Sequence, residues 1–186
     1  MIRVRPMREE DIHDVSTVRV KGWQAAYRGM VPQDHLDALT VAEDARMRRD
    51  MFARGAGSVL NLVAEENGVV VGWAALGPSR EEDRKPQDGE LLALYAAPDR
   101  LGTGVGKALM QQALVAAQER SFRKLVLWVI AANKRARRFY ELGGFVPDGR
   151  SADWSVNGTA VPEVRYCKNL VGDGGTGAPH SASYRS

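Results

Sequence analysis

Three alternating glycines, Gly102, Gly104 and Gly106, stand between a strand-like segment and a helix-like segment of this chain. Residues 90–96 before them are mostly apolar, and a helical pattern continues after them to about Arg120. Glycine removes the side chains that would hold a ligand away from the backbone. The unpaired N–H groups and the dipole at a helix N-terminus favour an anion. The turn therefore predicts a phosphate or pyrophosphate site, and the alternative is an ordinary glycine-rich turn.

The spacing excludes two other phosphate-binding motifs. A P-loop needs a glycine where this chain has Leu101, and a Ser or Thr where it has Ala108. A Rossmann fingerprint needs its third glycine at the position of Lys107. The motif present here is Gly-x-Gly-x-Gly.

The remaining pattern predicts a mixed α/β chain. Asn67-Gly68 is a strong hairpin signal between two strand-like runs, and Asn133 is placed to cap a helix. The predicted strands are 2–5, 59–65, 69–76, 90–96, 124–130, a segment around 145, and 161–168. The predicted helices are 9–26, a short one near 34, 41–53, one ending near 120, and 134–142. No internal repeat is present.

Length and composition are those of an ordinary globular protein. The 186 residues are 44% hydrophobic and 26% charged, which is enough for one hydrophobic core. We expect one domain over residues 1–170. Residues 171–186 are rich in glycine and serine with few large apolar residues, so we expect a disordered tail there.

Several functional classes are disfavoured by what the chain contains. The net charge of +3 comes without a broad basic stripe interleaved with aromatic residues, so we expect no nucleic acid partner. No apolar run approaches the roughly 20 residues that span a bilayer, and no signal-peptide pattern is present. The single cysteine, Cys167, cannot form an internal disulfide, which favours a reducing compartment. We therefore expect a cytoplasmic protein that does not bind a membrane. The three histidines are scattered, so no metal is predicted.

Two segments together resemble the acyl-CoA-binding core of the GNAT superfamily of N-acetyltransferases. The first is E-L-L-A-L-Y-A-A-P-D-R-L-G-T-G-V-G-K-A-L-M, residues 90–110, and the second is N-K-R-A-R-R-F-Y-E-L-G-G-F, residues 133–145. W-Q-A-A-Y-R-G-M-V-P, residues 23–32, looks like the first-helix substrate loop of one branch of the family. The resemblance extends over residues 2 to about 170. One departure is that the family's usual Gln or Arg falls on Leu101, with Arg100 one residue early.

The resemblance implies a fold and a co-substrate. The fold is an α/β type with a mixed, mostly antiparallel central sheet of about seven strands flanked by helices. The co-substrate is acetyl-CoA, whose pyrophosphate would lie on the amides of residues 102–107 and whose pantetheine arm would pair with residues 94–96. The implied cofactor-binding residues are Leu94, Tyr95, Ala96, Leu101, Gly102, Thr103, Gly104, Val105, Gly106, Lys107 and Asn133. Basic side chains that either attract the 3′-phosphate or are merely solvated are Lys107, Lys134, Arg135, Arg137 and Arg138.

The resemblance also assigns catalytic and substrate roles. Tyr140 matches the family's general acid, which would protonate the departing thiolate; the alternative is a core aromatic. Glu90 resembles a position used as general base through water, and the alternative is an ordinary strand-end carboxylate. If the base lies elsewhere, Glu163, Asp153 or a bare water chain is next in line. Trp23 and Tyr27 are expected to line the acceptor pocket, unless they are core residues.

We therefore predict an N-acetyltransferase that acetylates a primary amine of a small molecule by direct attack in a ternary complex. The alternatives are a protein or peptide N-acetyltransferase, acting on an N-terminus or a lysine, and a non-catalytic acyl-CoA-binding regulatory module. The retention of Tyr140 favours the enzyme over the regulatory module. The sequence contains no motif that identifies the acceptor, and both a monomer and a homodimer are compatible with it.

Overall fold

A computed structural model describes residues 1–54 and 57–171. The strands are β1 (Ile2–Pro6), β2 (Leu60–Glu66), β3 (Val69–Pro78), β4 (Asp88–Ala96), β5 (Lys124–Ile130), β6 (Val146–Val156) and β7 (Thr159–Asn169). The helices are α1 (Ile12–Ala26), α2 (Gln33–Ala38), α3 (Val41–Ala53), α4 (Val105–Glu119) and α5 (Lys134–Leu142), with short 3-10 turns at Glu9–Asp11 and Pro98–Arg100. Residues 172–186 of the predicted tail lie outside the described residues.

The seven strands form one sheet in the order β1-β2-β3-β4-β5-β7-β6. Every neighbouring pair is antiparallel except β4 and β5, which are parallel. The predicted fold class, a mostly antiparallel sheet of about seven strands flanked by helices, is confirmed. Within residues 1–54 and 57–171, no helix is both long and apolar enough to cross a membrane.

Alternating side chains on the central strands supply two hydrophobic layers, one on each face of the sheet. On one face Leu62 and Ala74 pack with Leu109 of α4. On the other face Val63 and Trp73 pack with Val15 of α1. The sheet is thus covered by helices on both faces, and the ends of β4 and β5 lie between them.

Strand β6 is longer than the sequence predicted. We predicted a short strand around Phe145 and the next strand only from residue 161, whereas β6 and β7 form a long hairpin. Its turn is Asn157-Gly158, the same dipeptide that closes the β2–β3 hairpin. Because β6 is an edge strand with mostly exposed residues, its sequence lacks the apolar alternation of a half-buried strand.

Gly72 of β3 sets how closely α4 approaches the sheet. A Cβ added there would lie 2.6 Å from Val105 Cγ1 and 2.9 Å from Leu109 Cδ1. Gly72→Ala therefore overpacks this contact and should lower the free energy of unfolding by about 1–3 kcal/mol. Denaturant unfolding measures the change.

Gly22→Ala provides the control for this prediction. Gly22 lies within α1, and a Cβ there would have its nearest neighbour at an ordinary contact distance of 3.7 Å. Alanine is the better helix former by roughly 1 kcal/mol, so this variant should be at least as stable as the wild type. Equal stability of Gly72→Ala and the wild type would mean that α4 does not depend on this close contact.

Candidate active site

A cleft of about 1560 Å³ opens where β4 and β5 separate. The two strands pair only over three residues, Asp88–Glu90 with Lys124–Val126. Beyond Glu90 the backbone edge of β4 that faces β5 is therefore unpaired, and it lines the cleft. The predicted site residues that line this cleft are Trp23, Tyr27, Glu90, Leu94, Tyr95, Ala96, Leu101, Gly102, Gly104, Gly106, Lys107, Asn133 and Tyr140.

The glycine turn forms one end of the cleft. Gly102 and Gly104 have φ angles of 82° and 98°, in the left-handed region that favours glycine. Gly104 is the N-cap of α4, whose first N–H groups have no partner within the helix. A Cβ on Gly102 would meet nothing within 4 Å, and one on Gly104 would approach only Ile2, at 3.9 Å. The two glycines are therefore not enclosed by neighbouring side chains, and both line the cleft.

The third glycine has a different role from the first two. A Cβ on Gly106 would lie 3.3 Å from the ring of Phe139 in α5. This glycine therefore allows α4 and α5 to pack closely beside the cleft, in addition to exposing backbone.

Two predicted cofactor residues, Thr103 and Val105, are not among the residues that line the cleft. The Thr103 hydroxyl donates to the Arg100 carbonyl at 2.8 Å. Val105 is 1% exposed and belongs to the core beneath α4. Any contribution of these two residues to an anion site comes from their backbone amides.

The basic residues near the cleft divide into two groups. Lys107, Lys134 and Arg135 line the cleft. Arg137 instead donates to the Tyr166 hydroxyl at 3.0 Å and to a backbone carbonyl, and Arg138 lies 3.9 Å from a carboxylate oxygen of Glu141. The side chains of the first group face the cleft, whereas Arg137 connects α5 to β7 through Tyr166.

Leu101 stands where the family pattern has Gln or Arg, and Arg100 precedes it by one residue. Leu101 lines the cleft and is 43% exposed. Arg100 also lines the cleft, with its guanidinium close to Glu66 and Asp99 at 3.3 and 3.4 Å. Arg100 is thus near the glycine turn, and its charge is shared with two carboxylates.

Asn133 and Tyr140 both come from α5. The Asn133 Oδ1 accepts a hydrogen bond from the Ala136 N–H at 3.1 Å, as a helix N-cap does. Its side-chain NH₂ is left for a second partner. Tyr140 packs edge-to-face on Phe139, with ring centroids 5.4 Å apart. Burial, and then the neighbouring Tyr95, raise the pKa of the Tyr140 hydroxyl above its ordinary value, so the phenol stays protonated at neutral pH.

Glu90 has contacts that differ from those expected of a general base. It is 2% exposed, and Arg80 engages both of its carboxylate oxygens. The Arg80 Nη2 donates to Oε1 at 2.6 Å, and the Arg80 backbone N–H donates to Oε2 at 3.0 Å. A carboxylate that is almost fully buried and already accepts these hydrogen bonds has little contact with water. The structure therefore gives Glu90 the environment of a buried ion-pair partner.

Glu163 is the other carboxylate that lines the cleft. It lies on β7 opposite Ile130 and is half-buried. Burial raises the pKa of Glu163, and the Arg80 guanidinium partly opposes that shift. A carboxylate with a raised pKa that faces a cleft is a candidate for proton transfer. Asp153, the other alternative from the sequence, is exposed on β6.

Aromatic residues of α1, β4 and β6 also line the cleft. Trp23 and Tyr27 of α1 pack edge-to-face with centroids 5.1 Å apart, and Trp23 also packs on Trp154 of β6 at 5.5 Å. The Tyr27 and Tyr95 hydroxyls are 3.4 Å apart. We call Trp23, Tyr27 and Trp154 the aromatic cluster.

Sequence reasoning did not identify Arg80 or Trp154 as site residues. Arg80 lies in a connection without a motif, and Trp154 lies between the strand predicted around residue 145 and the strand predicted over 161–168. The Asn157-Gly158 turn was the available signal, because a hairpin centred there places Trp154 opposite Val161.

Comparison with known proteins agrees with this geometry. A model of the Acetyltransferase (GNAT) family matches residues 23–145. The Bacillus subtilis protein named uncharacterized N-acetyltransferase YuaI is 32% identical over 165 residues, which are 88% of this chain and 91% of the relative.

Two solved structures share the fold at low sequence identity. The PaiA N-acetyltransferase of Thermoplasma acidophilum, in complex with coenzyme A, has a TM-score of 0.69 at 19% identity and covers 91% of this chain and 99% of its own. YncA of Salmonella typhimurium, described as a putative acetyltransferase with its cofactor acetyl-CoA, has a TM-score of 0.70 at 19% identity. The match covers 98% of this chain and 99% of YncA.

Proposed function

Because the chain belongs to the acetyltransferase (GNAT) family and is an acyl-CoA-dependent N-acetyltransferase, we propose that it transfers the acetyl group of acetyl-CoA to a primary amine of a small molecule. The observation that carries this proposal is a single cleft that is lined by the glycine turn, by the Glu163 carboxylate, by the aromatic cluster and by Tyr140. The Thermoplasma and Salmonella proteins, which hold coenzyme A and acetyl-CoA, support acetyl-CoA as the donor.

The donor would lie along the cleft. Its pyrophosphate would accept hydrogen bonds from the N–H groups of residues 102–107. The unpaired edge of Leu94–Ala96 would pair with the amide groups of the pantetheine arm, as an added strand does. Lys107, Lys134 and Arg135 at the same end would attract the 3′-phosphate.

The chemistry is a direct attack with both substrates bound. Glu163, through a water molecule, accepts a proton from the acceptor's ammonium group. The neutral nitrogen then attacks the thioester carbonyl carbon, a C–N bond forms and the C–S bond breaks. Tyr140 donates its proton to the departing thiolate, which leaves as the thiol. The surplus proton on the newly acylated nitrogen passes through water to the Tyr140 phenolate, which restores the phenol and leaves a neutral amide.

The aromatic cluster supports a small acceptor. The edge-to-face contact between Trp23 and Trp154 joins α1 to the β6–β7 hairpin at the acceptor end. A long peptide would need an open groove at this place. A small amine needs only the space beside Glu163 and the aromatic rings.

A panel of acceptors tests the proposal. Small amines, free amino acids, amino-containing antibiotics and short peptides are each incubated with the protein and acetyl-CoA, and released thiol is measured. We expect release with at least one small amine. Release that occurs only with peptides or proteins would overturn the small-molecule assignment.

Glu163→Gln keeps the shape of the side chain and removes its basicity. Because burial raises the pKa of Glu163, its basic form is lost as pH falls through a value above the usual range of about 4.3. In the variant, kcat/KM should drop about 10²-fold at neutral pH, at the lower end for a positioned acid–base group. It should recover at high pH, where the unprotonated amine is abundant. A pH–rate profile measures both effects.

Two matched variants complete this test. Asp153→Asn removes an exposed carboxylate from β6 and should leave the profile unchanged. Glu90→Gln weakens the ion pair that orients Arg80 and should lower kcat/KM at every pH. It should not change the pH at which kcat/KM falls in acid. If Glu90→Gln abolishes that fall and Glu163→Gln does not, Glu90 is the base, as the sequence predicted.

A further inference from the structure

Arg80 combines an exposed guanidinium with a buried partner. Its side chain is 71% exposed and lines the cleft, whereas the Glu90 side chain is only 2% exposed. Glu90 engages Nε and Nη2 of Arg80 at 2.6–3.3 Å. Within the described part of the chain, Nη1 has no protein acceptor. Since a guanidinium carries five N–H donors, its outer edge keeps donors for a ligand.

The backbone around Arg80 is held on both sides. The Ser79 N–H donates to the Asp88 carbonyl at 2.8 Å. The Glu81 carboxylate accepts from the Trp128 indole N–H at 2.9 Å and lies 3.2 Å from the Arg165 guanidinium. Arg80 is therefore fixed in direction before any ligand arrives, which reduces the entropy cost of binding.

The neighbours of Arg80 complete a three-part acceptor site. Glu163 lies close enough for its charge to interact with that of Arg80, and it is the carboxylate that we assign to the amine. The aromatic cluster lines the same cleft and offers an apolar surface, and its Tyr27 lies close enough to Glu163 to interact with its charge. A guanidinium is suited to bind a carboxylate through two parallel hydrogen bonds.

We propose that the acceptor is an α-amino acid with an apolar or aromatic side chain. This inference rests on the proposed function. Arg80 binds the carboxylate of the amino acid, Glu163 faces its amino group, and the aromatic cluster contacts its side chain. Arg80 is then a specificity-determining residue, and Glu90 is the positioning residue that aims it.

A simpler role for Arg80 would be to neutralise Glu90 alone. In that case a carboxylate on the acceptor would not raise kcat/KM, or would lower it because Glu90 and Glu163 repel it. The two roles therefore predict opposite preferences between an amino acid and the corresponding amine, which makes the comparison decisive.

Three matched probes carry the test: L-phenylalanine, L-phenylalanine amide and phenethylamine. They share the ring and the amine, and only the first has a carboxylate. For the wild type we expect kcat/KM to favour L-phenylalanine by about 10–100-fold over the other two, from charge-assisted hydrogen bonds. In Arg80→Met this preference should fall to near one, and in Arg80→Lys it should be intermediate.

Arg46→Met is the control, because Arg46 is exposed on α3 and is not among the cleft residues; it should keep the wild-type preference. Thermal unfolding of Arg80→Met and Arg80→Lys confirms that both are folded. The inference is overturned if the wild type shows no preference for the carboxylate, if folded Arg80→Met keeps that preference, or if amines other than amino acids are the only acceptors. Absence of thiol release with every acceptor would instead contradict the proposed function.

Discussion

Replacing Tyr140 by phenylalanine should lower kcat by about 10²–10⁴-fold, the usual contribution of a positioned general acid. The ring and its edge-to-face contact with Phe139 remain, so only the proton donor is lost. Affinity for acetyl-CoA, measured by calorimetry, should change little. Steady-state turnover with an acceptor identified in the panel gives the rate.

Tyr166→Phe is the matched control for this experiment. Tyr166 is fully buried, and its hydroxyl contacts Arg137 and Glu141 at 3.0 Å. Removing that hydroxyl should affect stability more than turnover, because Tyr166 is not among the cleft residues. Wild-type turnover in Tyr140→Phe would assign Tyr140 to the core rather than to catalysis.

Elements with local start signals were predictable from the sequence. Helix α3 occupies residues 41–53 as predicted, and the Thr40 hydroxyl caps it by accepting from the Glu43 N–H. Helix α5 begins after Asn133 as predicted, for the same reason. Strand β5 was predictable because both of its faces are buried, which gives a continuous apolar run.

The extent of β6 was not predictable from apolar periodicity. Most residues of this edge strand are exposed, and the strand is stabilised by backbone pairing to β7. Backbone pairing leaves little trace in the types of residue. Its length depends on the β7 sequence and on the turn at Asn157-Gly158. These contacts are set by the tertiary structure.

The donor and acceptor parts of the cleft also differed in how far the sequence predicted them. The glycine turn and the start of α5 are contiguous motifs, so the sequence located the donor end. The acceptor end is built from pairs distant along the chain, such as Trp23 with Trp154 and Arg80 with Glu90. The charge on Glu90 was visible in the sequence, but the hydrogen bonds that tie it to Arg80 were not.

Gly104→Val should weaken acetyl-CoA binding by about 10²–10⁴-fold. Gly104 has a φ of 98°, which a β-branched residue adopts only with strain. Gly104 also lines the cleft as the N-cap of α4, where the pyrophosphate is proposed to bind, so the added branches would crowd the ligand. Loss of two charge-assisted hydrogen bonds, at about 1.5–3 kcal/mol each, accounts for the magnitude. Calorimetric titration with acetyl-CoA measures it.

Gly68→Val separates the effect of strain from the effect of blocking the site. Gly68 has a similar φ of 80°, lies in the β2–β3 turn, and has nothing within 4 Å of an added Cβ. It is not among the cleft residues, so its substitution should cost stability while acetyl-CoA affinity is kept. If folded Gly104→Val binds acetyl-CoA as tightly as Gly68→Val does, the pyrophosphate does not lie on the glycine turn. Because both glycines have a positive φ, a difference in affinity between these variants reports the position of the ligand.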